Sequence, residues 1–67
     1  MDENFIDSIK NLPPLERTAY VLRRFCGFKY ARIGGILGCE TSTISKSISE
    51  ARRKLTEEGF GDEEVLD

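Results

Sequence analysis

Apolar residues recur along the chain in four groups, each with the spacing of one helix face and each closed by proline or glycine. Phe5, Ile6, Ile9 and Leu12 mark a short first helix, with Asp2 or Asn4 in place to cap its N-terminus. Pro13-Pro14 ends it, and the second proline suits the first turn of a second helix, where a missing N–H costs nothing. Glu16 adds negative charge near that N-terminus, and Leu15, Ala19, Leu22 and Phe25 or Cys26 continue the stripe until Gly27 stops it. Tyr30, Ile33, Ile36 and Leu37 predict a third helix of about two turns, broken by Gly38. A fourth begins near Glu40 to Ser42, and Ile44, Ile48, Ala51 and Leu55 give it one apolar stripe. At 100° per residue, Ser42, Lys46, Ser49 and Arg53 project from its other side, with Ser45 beside them. Gly59-Phe60-Gly61 ends that helix after Glu58. The pattern predicts an all-α fold, a small four-helix domain over residues 1–58 followed by a frayed acidic tail over 59–67.

The outward face of the fourth helix is unusual for one chosen only for solubility. Serine and threonine are mediocre helix formers because their hydroxyls compete for backbone hydrogen bonds, yet Thr41-Ser42-Thr43 and Ser45, Ser47 and Ser49 crowd its first half. The third and fourth helices also fit the register of a helix-turn-helix. With Tyr30 as the first position, the fifth is Gly34, where a large side chain would separate two closely crossing helices; the ninth is Gly38, in the turn; the fifteenth is Ile44, which anchors the second helix. Gly34-Gly35 in mid-helix costs about 1 kcal/mol per glycine relative to alanine, so a packing reason is expected for at least Gly34. An αα-hairpin without a nucleic-acid role is the plain alternative, but the internal glycine, the turn glycine and the apolar register all agree with the helix-turn-helix.

Charge sharpens this picture. The chain carries a formal net charge of -2, yet residues 12–55 hold nine basic side chains against Glu16, Glu40 and Glu50, while residues 56–67 hold six carboxylates and no base. A basic body between acidic ends points to a polyanion as partner, with a masking or solubilising role for the tail. Lys29, Arg32, Arg52 and Arg53 are the expected phosphate contacts.

Composition then removes other classes. Sixty-seven residues, 39% apolar with four Phe, allow one helical core and no second domain. No apolar run approaches the roughly 20 residues that span a bilayer, and the acidic Met1-Asp2-Glu3-Asn4 is unlike a secretory signal, so a cytoplasmic protein without a membrane partner is expected. With two cysteines and no histidine, neither a disulfide framework nor a zinc site is expected, and no Ser-His or Cys-His pair can be built. Cys39 reads as a small core residue of the turn and Cys26 as partly exposed. The chain is therefore read as a non-enzyme without cofactor or metal.

Leu12-Pro13-Pro14-Leu15-Glu16-Arg17, Leu22-Arg23, Gly27-Phe28-Lys29-Tyr30, Ile33-Gly34-Gly35-Ile36-Leu37-Gly38, Thr43-Ile44 and Ala51-Arg52-Arg53-Lys54-Leu55 together resemble region 4 of bacterial sigma factors, particularly the short extracytoplasmic-function type. The resemblance runs over residues 12–55 without a gap. It implies a module that lays its last helix in the major groove of the promoter -35 element, grips the flap of the RNA polymerase β subunit with its other helices, and is a potential target of an anti-sigma factor. It also implies base contacts from Thr41, Ser42, Ser45 and Lys46, whose hydroxyls and ammonium suit several base edges. Departures are equally specific. Glu40 stands where a capping Ser or Thr is usual, so the cap is expected to shift to Thr41 or Ser42; Lys29 replaces a frequent Ser before Tyr30; and residues 41–49 contain no arginine, the side chain that grips guanine with two bonds. No region 2 precedes the module, so either an excised domain or a free-standing accessory is expected. The favoured function is a DNA-binding transcription-initiation module. The alternative is a protein-interaction module that occupies the polymerase flap or an anti-sigma factor with weak or absent DNA binding.

Overall fold

A computed structural model describes residues 3–60. Helix α1 runs Glu3–Lys10, α2 Pro14–Arg24, α3 Tyr30–Leu37 and α4 Thr41–Glu57, with no strand among the described residues. Asn4 lies inside α1 and is not its cap; Asp2, the other candidate, lies outside the described residues. The Arg17 guanidinium donates to the Lys10 carbonyl at 3.0 Å, satisfying one of the orphan acceptors at the end of α1. Pro14 occupies the first turn of α2, where proline is tolerated.

Helix α4 is the spine, packing most extensively on α2, then on α3, and touching α1 with its C-terminal half. Ile9, Leu12, Tyr20, Ala51 and Leu55 form one buried cluster where α1, α2 and α4 meet; Ala19, Ile33, Ile44 and Ile48 form another between α2, α3 and α4. The apolar stripe expected on α4 is buried throughout. On α2 the expected stripe holds at Ala19, which is buried, and at Leu22, which packs against the second cluster, but Leu15, Phe25 and Cys26 at its ends are exposed and Tyr20 is buried instead. The reason is that α2 serves two clusters at once, Ala19 facing one and Tyr20 the other, which widens its core-facing side by about one residue. On α3, Ile36 is 50% exposed, because the face centred on Ile33 is shared by Tyr30 and Leu37 and leaves Ile36 on its far flank. A salt bridge of 2.9 Å between Lys54 and Glu16, both partly buried, ties α4 to α2.

The end of α4 is fastened rather than frayed through residue 60. Gly59 donates to the Thr56 carbonyl at 3.0 Å and Phe60 to the Leu55 carbonyl at 2.9 Å, the paired bonds of a Schellman motif. This turn carries the Phe60 ring onto the α1 cluster, 5.3 Å from the Phe5 ring, and the buried Ser8 hydroxyl donates to the Glu58 carboxylate. Phe60, read from sequence as part of the tail, thus packs with the domain. The rest of the expected acidic tail, residues 61–67, lies outside the described residues.

Candidate nucleic-acid interface

The turn between α3 and α4 sets the aim of α4, and two glycines make it possible. Gly38 has φ +72°, a conformation that disfavours side chains, and it reverses the chain at the end of α3. The Gly34 carbonyl accepts from Gly38 and, at 2.9 Å, from Cys39. A Cβ on Gly34 would come within 2.6 Å of the Cys39 carbonyl oxygen, so the close approach is with the backbone of the turn rather than with another helix. Gly35 faces open space. Together α3 and α4 form a helix-turn-helix.

Glu40 is the N-cap of α4, extended at φ -72° and ψ 154°, and its side chain makes no capping bond. The expected shift of the cap to Thr41 or Ser42 does not occur: Ile44 donates to the Glu40 carbonyl at 3.1 Å, which fixes the helix start at Thr41. The register is set by Ile44 entering the core behind the Gly38 turn, and side-chain capping preference is the weaker influence.

With Ile44 and Ile48 buried beneath it, the opposite side of α4 faces solvent. Thr41, Ser42 and Lys46 are exposed and Ser45 is half-buried, all within the first two turns and within an arc of about 140° at 100° per residue. The four residues expected to touch bases therefore share one surface. The four expected phosphate contacts divide into two groups. Lys29 is the exposed N-cap of α3 and Arg32 sits in its first turn, the guanidinium 5.1 Å from the centre of the Phe28 ring. Arg52, half-buried, and Arg53, exposed, lie in the second half of α4, where Ser49, Arg52, Arg53, Thr56 and Glu57 line an open depression of about 490 Å³.

Arg53 already has partners. It bonds Glu50 one turn before it and, at 2.7 Å, Glu57 one turn after it. Hydrogen bonding to Arg53, then its positive charge, holds the Glu50 carboxyl below its ordinary value, and the Glu50 carboxylate raises Arg53 in return. Sequence reading did not single out these two acids, although the i, i+3 and i, i+4 spacings were the signal. Arg23 was also missed. It donates to the Phe28 carbonyl at 3.0 Å and lies 5.2 Å from the Tyr30 ring centre, so it braces the connection that delivers Lys29 to the start of α3.

Among the described residues no cluster of His, Cys, Asp and Glu could hold a metal ion, Cys26 and Cys39 are free thiols, and no helix is long and apolar enough to cross a membrane. A family model described as sigma-70, region 4 matches residues 2–55. Comparison with curated proteins and comparison with solved structures each give no match.

Proposed function

Because the chain belongs to the sigma-70 region 4 family, whose modules are DNA-binding transcription factors and not enzymes, we propose that it reads promoter DNA of the -35 type with the first two turns of α4 while contacting the β flap of RNA polymerase. The observation that carries the reading is the two-sidedness of α4: Ile44 and Ile48 are buried, Ser42 and Lys46 lie on the opposite side, and Thr41 and Ser45 border that face. A major groove about 12 Å wide admits such a helix. Hydroxyls at Thr41, Ser42 and Ser45 donate to or accept from base edges, a threonine methyl meets the thymine methyl, and Lys46 bonds guanine O6 or N7. Without an arginine among them the readout is permissive. Lys29, Arg32 and Arg52 hold the phosphates on either side and supply the salt-dependent part of the affinity. For the flap, the exposed Ile6 on α1 and Leu15 and Phe25 on and after α2 offer apolar contact. An anti-sigma factor would compete for the same surface, and the setting is the cytoplasm.

A second reading, a flap- or anti-sigma-binding module with weak DNA contact, is favoured by the carboxylates that flank Arg53. Selection from a randomised duplex pool, scored separately from binding to isolated β flap, tests both. Enrichment of a short motif, lost with Lys46→Ala, supports the DNA-reading module. Flap binding with no enriched duplex supports the second reading and overturns the first.

A further inference from the structure

The outer face of α4 changes character halfway along. Its first turn holds no acidic residue, whereas its second half sets Arg53 between Glu50 and Glu57. Nε and Nη2 of Arg53 donate to Glu50 Oε1 at 3.2 and 2.8 Å, and Nη1 donates to Glu57 Oε2 at 2.7 Å. Three of the guanidinium's five N–H groups are thereby directed along the helix surface. The ladder as a whole carries a formal -1, where Arg53 alone would present +1. It lies on the surface that borders the depression lined by Ser49, Arg52 and Thr56, in line with the residues expected to meet bases.

Resting on the reading of α4 as the DNA-facing helix, we propose that Glu50 and Glu57 act as a built-in brake on sequence-independent DNA affinity by holding Arg53 out of the row of phosphate contacts. A phosphate approaching Arg53 must displace two carboxylates that are already hydrogen-bonded and must approach their charge. Since each partner lies one turn away on the same helix, re-forming the ladder needs no movement of the fold, and the intramolecular acids compete at a high effective concentration. Removing them frees one guanidinium for the backbone. Each phosphate neutralised steepens the dependence of log affinity on log salt by about 0.9, so the gain should shrink about 3.5-fold between 50 and 200 mM salt. The contact reads no base, and the gain is therefore equal on any duplex.

The probe is a fluorescent duplex of about 25 base pairs and mixed sequence, titrated from about 50 to about 200 mM salt. Wild type, E50Q/E57Q and E50Q/E57Q/R53Q are compared, with melting curves to establish that each is folded. The brake requires that E50Q/E57Q bind more tightly at low salt with the steeper slope, and that adding R53Q return the slope to that of wild type. An unchanged slope in E50Q/E57Q overturns it. So does a gain that survives R53Q, since the acids would then act by general repulsion and not through Arg53. E50Q alone, which takes the negative charge from the acceptor of two of the three bonds, serves the same comparison with R53Q if the multiple variants do not fold. Wild type and variants all failing to bind the duplex at low salt overturn the DNA reading itself along with the brake, whereas wild-type binding with no change in the variants overturns the brake alone.

Discussion

Gly34 and Gly35 are neighbours of the same type in the same helix, and their substitution should have opposite consequences. A Cβ at Gly34 meets the Cys39 carbonyl at 2.6 Å, and backbone cannot turn aside as a flexible side chain would, so Gly34→Ala should destabilise the domain by about 1 to 3 kcal/mol. Gly35 is exposed with open space beside it, so Gly35→Ala should stabilise by about 0.5 to 1 kcal/mol through helix propensity alone. Urea unfolding of the two variants gives both signs in one measurement. Lys46→Ala, at an exposed position, should leave stability unchanged and weaken binding to a selected duplex by about 1 to 3 kcal/mol. If affinity for that duplex is the same for both proteins, Lys46 does not face the groove.

Within α4, the buried stripe and the ion-pair ladder make separable contributions. Ile44→Ser puts a hydroxyl where no water reaches and leaves a gap, at a cost of about 2 to 4 kcal/mol, which a domain this small can scarcely tolerate. A melting temperature equal to wild type would show that the helix is out of phase with this description. The ladder lies on the solvent-facing surface and responds to pH instead. Because Arg53 lowers the Glu50 carboxyl in the folded state, its contribution is complete above the ordinary value of 4.5 and is lost as pH falls through the lower folded-state value. The difference in urea midpoint between wild type and Glu50→Gln should therefore be present at neutral pH and vanish in acid. The four helices and their stops were legible in the sequence, because proline, glycine and apolar spacing act within a few residues. The partner of Arg53 was not. An arginine three and four residues from acids pairs with them or with an external phosphate, and the spacing accommodates either.

At the scale of the whole molecule, the two ends of the described chain meet. Phe60 is carried by the turn after α4 onto Phe5, and Glu58 accepts from Ser8, so α1 is held by the turn that follows α4 as well as by Ile9 and Leu12. Phe60→Ala should cost about 1 to 2 kcal/mol, less than a fully buried phenylalanine, since the ring is half-buried. Hydrogen exchange should show the loss concentrated in α1, with α3 and the first half of α4 protected as before. Uniform loss across the chain would mean that α1 is not a separately held element.

The sequence by itself determined the number and type of elements, the glycine turn at Gly38, the buried stripe of α4 and, through these, the side of α4 left for a partner. Each rests on interactions within one or two helical turns, which the order of residues specifies directly. Tertiary structure decided which apolar residues of the shorter helices were buried: Tyr20 rather than Leu15, and Leu37 more than Ile36. It also gave Gly34 its close contact in the turn and captured Phe60 for the core. A helical stripe specifies a direction only to within about one residue, or 100°, and the final choice belongs to where the neighbouring helices lie. In α4 that margin is closed by four buried positions in register; in α2, two clusters pull on adjacent residues, and packing alone resolves them.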